Sequence, residues 1–134
     1  VEVTVPVAHI RDGNLSYVKR ELKKLRSACK KIALRIDTES ALLTRSEIIR
    51  ICAIAAECGV NSVKVCSGGL TGNGGTDIFA DIKTAVKDKC TIKAEGAATV
   101  LEMSAAIDLG ASVIGSKNAA DVARTILAAA EMDI

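Results

Sequence analysis

The sequence predicts an α/β fold in which five short strands alternate with helices as parallel βα units. Short aliphatic runs recur along the chain, and each is followed by a segment in which apolar residues have helical spacing. The 134 residues include one Tyr, one Phe and no Trp, so Ile, Val, Leu and Ala have to fill the core. Such a core is typical of parallel sheets that are covered by helices.

The predicted strands are aliphatic runs separated by polar or turn-forming residues. They are Val1–Val7, Lys31–Asp37, Asn61–Cys66, Cys90–Glu95 and Ser112–Gly115. Because the connections to the intervening helices are short, we expect right-handed crossovers, and therefore parallel strands that neighbour one another in chain order.

The predicted helices follow from apolar residues that recur every three or four positions. They are Leu15–Cys29, Ser46–Cys58, Thr76–Asp88, Val100–Leu109 and Ala119–Ala130. Thr44 and Ser46 are both candidates for the N-cap of the second helix, and Gly59 is a suitable stop residue. The Gly-rich segment Ser67–Gly75 is either a substrate lid or simply a mobile loop.

Composition argues against several functional classes. A net charge of +2 and the near absence of aromatic residues provide no basis for binding nucleic acid or an anionic membrane. No apolar run reaches the roughly 18 residues of a membrane span, and no signal-peptide pattern opens the chain. The five cysteines lack the spacing of a zinc site or a disulfide framework, so we expect reduced thiols and a cytoplasmic protein.

Polar residues at the C-terminal ends of the predicted strands favour a closed barrel over an open sheet. They are Arg35, Asp37, Lys64, Lys93, Glu95, Ser116 and Lys117. Reactive groups collect at this end of a TIM-type (β/α) barrel, which has eight strands in typically about 250 residues. We therefore expect residues 1–134 to be a single barrel domain represented by about five βα units. Either the N-terminal βα units are missing from this sequence, or a partner completes the barrel.

Two lysines occupy neighbouring predicted strands. Lys64 lies within Ser62–Val65, and Lys93 lies within Thr91–Ala94. If the two face each other, each disfavours the charged form of the other, and burial adds to the resulting decrease in pKa. A neutral amine can attack a carbonyl, and a neighbouring ammonium can transfer protons. The alternative is a structural role in which the lysines only pair with carboxylates.

Five segments, in order, resemble the deoxyribose-phosphate aldolase family. Val63–Leu70 (VKVCSGGL) is similar to the family's V-K-T-S-T-G-F, and Ile92–Thr99 (IKAEGAAT) is similar to V-K-A-S-G-G-I-R-T. Leu34–Thr44 resembles L-K-V-I-I-E-T-G-x-L-T, and Val1–Asn14 resembles V-D-V-V-x-P followed by G-N. Gly110–Asn118 is similar to G-A-x-R-I-G-T-S-S. The set agrees in order and spacing along the whole chain.

The resemblance implies a class I aldolase that cleaves 2-deoxyribose 5-phosphate to acetaldehyde and glyceraldehyde 3-phosphate without a metal or another cofactor. Lys64 would form the Schiff base, Lys93 would assist proton transfer, and Glu2 would replace a relay aspartate. The substrate- and phosphate-binding residues would be Arg35, Gly68, Gly96, Ala97, Ser116, Lys117 and Asn118. The implied partners are a small phosphorylated sugar and either further copies of the chain or a protein that completes the barrel.

Three residues and one turn depart from the family pattern and keep a second hypothesis open. Glu2 is one methylene longer than aspartate, and Arg35 replaces a lysine but cannot exchange a proton. Ala97 replaces a glycine, and the turn Ser116–Asn118 replaces T-S-S. The alternative is therefore a catalytically impaired, aldolase-like scaffold subunit of a larger assembly.

Overall fold

The computed structural model describes residues 1–66 and 77–132, and its five strands form one sheet. The strands are β1 Glu2–Thr4, β2 Arg35–Asp37, β3 Ser62–Cys66, β4 Thr91–Glu95 and β5 Val113–Gly115. Their order is β1-β2-β3-β4-β5, and every neighbouring pair is parallel. The predicted arrangement of the strands is confirmed.

Helices alternate with these strands along the described part of the chain. They are α1 Val7–Arg11, α2 Leu15–Ala28, α3 Arg45–Glu57, α4 Ile78–Val86, α5 Val100–Asp108 and α6 Ala119–Met132. Thr76, the predicted start of the helix that is observed as α4, lies outside the described residues. Among the described helices, none combines the length and apolar character needed to cross a lipid bilayer.

The sequence did not predict α1 or the short 3₁₀ helix Ser40–Leu42. The predicted strand Val1–Val7 is therefore too long, because the structure places Val7 at the start of α1. Pro6 occupies the N-cap position of that helix. Its ring nitrogen carries no hydrogen and cannot donate to a strand ladder, which favours the end of the strand at this point.

The two faces of the sheet differ in polarity because side chains alternate along each strand. One face packs against the helices, and its central residues are at most 1% exposed: Ile36, Val63, Val65, Ile92 and Ala94. The other face carries the charged and hydroxyl side chains of the strands: Glu2, Arg35, Asp37, Ser62, Lys64, Thr91, Lys93 and Glu95. We call this second surface the polar face, and it is the place to look for a functional site.

A capping box fixes the start of α3 and decides between the two N-cap candidates. The side chain of Thr44 accepts a hydrogen bond from the backbone N–H of Glu47 at 3.3 Å. The Glu47 carboxylate accepts the backbone N–H of Thr44 at 2.7 Å. Thr44 is therefore the N-cap residue, and Ser46 lies within the first turn of the helix.

Replacement of Thr44 by alanine should lower the free energy of unfolding by about 1 kcal/mol, because the N–H of Glu47 loses its acceptor. Ser46→Ala is the matched control, and we expect it to leave stability nearly unchanged. Chemical denaturation followed by circular dichroism measures both variants. Equal losses in the two variants would contradict the assignment of the cap.

Candidate active site

The Lys64 side chain lies between two carboxylates on the polar face. Its Nζ is 2.8 Å from Oε1 of Glu2 and 2.7 Å from Oδ2 of Asp37. The side chains of Lys64 and Asp37 are each 17% exposed, whereas that of Glu2 is 37% exposed. Three adjacent strands, β1, β2 and β3, bring these groups together, and Asp37 is the register partner of Lys64.

The two carboxylates favour the charged form of Lys64. Hydrogen bonds to Asp37 and then to Glu2 raise the pKa of Lys64 above the usual lysine value and outweigh the opposing effect of burial. The hydrogen bond from Lys64 in turn lowers the pKa of Glu2. The predicted decrease in the pKa of Lys64 is therefore wrong, because its acidic neighbours dominate its surroundings.

Lys93 is the register partner of Lys64, so the two lysines stand on neighbouring strands at the same level, as the sequence predicts. The Nζ of Lys93 is 3.1 Å from Oε2 of Glu95, which follows two residues later on the same strand. The Glu95 carboxylate lies against Gly115 of β5, where an added Cβ would overlap it. Glycine at this position therefore provides the space that the Glu95 side chain occupies.

Arg35 extends the charged cluster toward the N-terminal end of the sheet. Its Nη1 is 3.5 Å from Oε2 of Glu2, and its Nε donates a hydrogen bond of 3.3 Å to Oγ of Ser62. Glu2 consequently contacts Lys64 with one carboxylate oxygen and Arg35 with the other. The single carboxylate of Glu2 is thus shared between two cations.

Two buried hydroxyl groups attach the segment after β2 to the end of β3. The backbone N–H and Oγ1 of Thr38 both donate to the carbonyl of Lys64, at 3.1 and 2.9 Å. Oγ of Ser40 accepts the backbone N–H of Cys66 at 2.9 Å and lies 3.1 Å from Oγ1 of Thr38. These bonds fix the backbone on both sides of the Lys64 peptide unit.

Between the two hydroxyl residues, Glu39 adopts a left-handed backbone conformation with φ of 47°. This region is unfavourable for residues other than glycine and is found where surrounding contacts enforce it. The N–H of Glu39 donates a hydrogen bond of 3.0 Å to Oδ1 of Asp37. The Asp37 carboxylate is therefore held by the backbone on one oxygen and by Lys64 on the other.

A cavity of about 410 Å³ adjoins the C-terminal ends of β3, β4 and β5. Its lining consists of Cys66, Glu95, Gly96, Ala97, Ala98, Ser116, Lys117 and Asn118. Five of the seven residues predicted to bind substrate or phosphate are among them. Arg35 lies instead on the polar face, and Gly68 is outside the described residues.

Part of the backbone around this cavity is already hydrogen bonded within the protein. The Glu102 carboxylate accepts the N–H of Ala98 at 2.8 Å and that of Thr99 at 3.1 Å, and these bonds lower the pKa of Glu102. The N–H of Gly96 donates to the carbonyl of Gly115. Lys117, which is exposed, brings a positive charge to the cavity wall.

Sequence reasoning gave no role to two carboxylates that contact the lysines. Asp37 and Glu95 are charges at the ends of predicted strands, but their pairing with Lys64 and Lys93 is not among the expectations drawn from the sequence. The contact between Glu95 and Lys93 is predictable from the sequence, because side chains of residues two apart on a strand lie on the same face. For Asp37 the contact depends on the register between β2 and β3, which the sequence does not specify by itself.

The chain resembles known aldolases in sequence. No protein-family model matches it. A deoxyribose-phosphate aldolase of Clostridium botulinum (strain Langeland) is 32% identical over 117 residues, which are 87% of this chain and 55% of that protein. One from Finegoldia magna is 29% identical over 119 residues, covering 88% of this chain and 56% of that protein. The chain thus spans about half the length of the curated relatives that it matches.

Solved structures agree with this result at the level of the fold. The aldolase QR15 superposes with a TM-score of 0.82 at 21% identity, covering 98% of this chain and 60% of that one. A Coccidioides immitis protein to which a deoxyribose-phosphate aldolase function is ascribed gives a TM-score of 0.76 at 22% identity, with coverage of 92% and 51%. The predicted resemblance is therefore confirmed: the chain is similar in sequence to deoxyribose-phosphate aldolases, and its fold corresponds to five βα units of a TIM-type (β/α) barrel.

Proposed function

We propose that this chain carries the Schiff-base site of a class I aldolase that acts on 2-deoxyribose 5-phosphate. The observation that carries the proposal is the pairing of Lys64 with Lys93 in register on the polar face, among carboxylates that can exchange protons. Sequence similarity to deoxyribose-phosphate aldolases supports the choice of reaction and substrate. The products would be acetaldehyde and glyceraldehyde 3-phosphate, formed in the cytoplasm during the breakdown of deoxyribonucleotides.

In this reaction Lys64 supplies the nucleophile. Its neutral amine adds to the aldehyde carbon of the substrate, and protonation of the resulting hydroxyl group allows it to leave as water, which gives an iminium ion. The iminium accepts the electron pair of the bond between the second and third carbons of the substrate as that bond breaks, while the hydroxyl group on the third carbon loses a proton and becomes the new aldehyde. Protonation of the resulting enamine and addition of water then release acetaldehyde and the amine of Lys64. Lys93, held by Glu95, provides a nearby ammonium for proton transfer, and no cofactor is required.

The cavity at the C-terminal ends of the strands is the proposed phosphate site. Lys117 supplies positive charge, and the turn Ser116–Asn118 precedes the N-terminus of α6, where backbone N–H groups favour an anion. Gly96 and Ala97 also line this cavity. The Glu102 carboxylate already occupies the N–H groups at the start of α5, so the phosphate would depend mainly on the α6 side.

We also propose that further βα units complete a closed barrel around this sheet, supplied within a longer polypeptide, by another copy or by a partner. Within the described residues, β1 and β5 each have a strand neighbour on one side, and such strand edges favour additional pairing. Large apolar side chains of α6 are exposed as well: Ile126, Leu127 and Met132. Added units would pair with the edges of β1 and β5 and cover the exposed apolar side chains of α6.

The second candidate is a catalytically impaired scaffold subunit. It is favoured by the same contacts that raise the pKa of Lys64, since an ammonium between two carboxylates is not a nucleophile. In that case Lys64 and Lys93 would serve only to neutralise the acidic side chains of the polar face. The two candidates differ in whether Lys64 forms a covalent adduct with an aldehyde.

Incubation of the protein with acetaldehyde and borohydride should produce a reduced adduct on Lys64, which peptide mass spectrometry detects. Lys64→Ala should abolish this adduct, and Lys64→Arg should do so as well, because a guanidinium stays protonated and does not form an imine. Lys93→Ala should slow adduct formation without moving it to another residue. Absence of an adduct, or labelling spread evenly over surface lysines, would refute the aldolase function and support the scaffold subunit instead.

The rate of adduct formation should rise with pH. The raised pKa leaves only a small neutral fraction of Lys64 at neutral pH, and that fraction grows about tenfold for each pH unit below the pKa. Initial rates of reductive trapping with cyanoborohydride, measured between neutral and alkaline pH, provide the profile. A rate that stays constant over this range would show that Lys64 is already neutral.

Lys117→Ala should increase KM for 2-deoxyribose 5-phosphate by about tenfold, since a charge-assisted contact to phosphate is lost. The KM for unphosphorylated 2-deoxyribose should not change, because that substrate has no group for Lys117 to bind. Lys24→Ala is a suitable control, as Lys24 lies on α2 and pairs there with Glu21. Equal effects of Lys117→Ala on both substrates would contradict the phosphate site.

A further inference from the structure

The two carboxylates that hold Lys64 differ in their surroundings. Asp37 is the less exposed, at 17% against 37% for Glu2, and its Oδ2 lies 2.7 Å from the Lys64 nitrogen. Its other oxygen accepts a neutral backbone N–H from Glu39. Glu2 divides its two oxygens between Lys64 and the guanidinium of Arg35.

This difference distinguishes the two carboxylates as candidate proton acceptors. A carboxylate between two cations is a weaker base than one that faces a single cation, because each positive charge stabilises the ionised form. The hydrogen bond from Lys64 first, and then the nearby charge of Lys93 and the hydrogen bond from Arg35, lower the pKa of Glu2. Among the ion pairs found for the described residues, Asp37 pairs only with Lys64.

The backbone after β2 is built to keep Asp37 in this position. Glu39, which adopts a left-handed conformation with φ of 47°, donates its backbone N–H to the Asp37 carboxylate. The buried hydroxyl groups of Thr38 and Ser40 hold the neighbouring backbone against β3. An unfavourable backbone conformation that is enforced beside a reactive group is typical of functional sites.

We propose that Asp37, rather than Glu2, accepts the proton of Lys64 during Schiff-base formation, and this proposal rests on the proposed function. An Nζ–H bond of Lys64 breaks as the proton moves to Oδ2 of Asp37, and the freed lone pair forms the carbon–nitrogen bond. The electron pair of the carbonyl bond moves to oxygen, which takes the proton back from Asp37. Asp37 then removes a second proton from the nitrogen and delivers it to the hydroxyl group, which leaves as water when the iminium forms.

Glu2 has a different role in this assignment. It remains ionised throughout and provides a counter-charge for Lys64 and Arg35. The resemblance to the aldolase family implies the opposite assignment, in which the residue at position 2 belongs to the proton relay. The two assignments predict opposite effects for the corresponding amide variants.

The test compares Asp37→Asn with Glu2→Gln by the initial rate of acetaldehyde trapping on Lys64 at neutral pH. Either substitution removes a negative charge and increases the neutral fraction of Lys64. If Asp37 is the proton acceptor, Asp37→Asn should nevertheless slow trapping by about 100-fold, whereas Glu2→Gln should increase the rate. Asp108→Asn, an exposed change on α5, is the control and should behave as the unmodified protein.

Two further measurements separate this role from a structural one. Competitive acetylation by acetic anhydride, read by mass spectrometry, should label Lys64 faster in Asp37→Asn than in the unmodified protein. Faster labelling would show that the site is folded and that a larger fraction of the Lys64 amine is neutral. In Asp37→Ala, added formate should restore part of the trapping rate, because formate can replace the missing carboxylate.

The outcomes distinguish the two proposals. Faster trapping in Asp37→Asn, or a larger loss in Glu2→Gln, would overturn the role of Asp37 while the Schiff-base function stands. No adduct in the unmodified protein would instead refute the function itself.

Discussion

Alternation of side chains along five parallel strands is the constraint on which the rest of this structure depends. Val63 and Val65 are completely buried under the helices, and Lys64 between them points to the polar face. A shift of one residue in any strand would exchange the two faces, burying charges under helices and exposing the aliphatic core. The core therefore fixes the register, and the register determines which charged groups meet.

The charges of the polar face form a nearly complete set of pairs. Lys64 contacts Asp37 and Glu2, Lys93 contacts Glu95, and Arg35 shares Glu2. Such pairing reduces the cost of placing partly buried charges on a sheet, but it also stabilises the protonated form of the lysine that would have to react. The same contacts thus stabilise the fold and reduce the nucleophilicity of Lys64. A nearby base such as Asp37 would remove the proton from Lys64 when the amine has to react.

Much of the fold could be predicted from the sequence, and less of the site. The strands and their order follow from aliphatic periodicity, although the end of β1 at Pro6 required the structure. The neighbouring positions of Lys64 and Lys93 were predictable from consecutive βα units. The direction of the shift in the pKa of Lys64 could not be predicted from the sequence. It depends on carboxylates that are 27 and 62 residues away in sequence and on the register that brings them close.

The contact between Glu95 and Gly115 has a consequence for how this site can change over generations. The Glu95 carboxylate occupies the space that a side chain at position 115 would need, so the effect of a substitution at one position depends on the residue at the other. A larger residue at position 115 requires the Glu95 carboxylate to move away from its present position, or to be replaced by something short, such as the serine in the aldolase pattern V-K-A-S-G-G. The two positions are therefore expected to evolve as an epistatic pair.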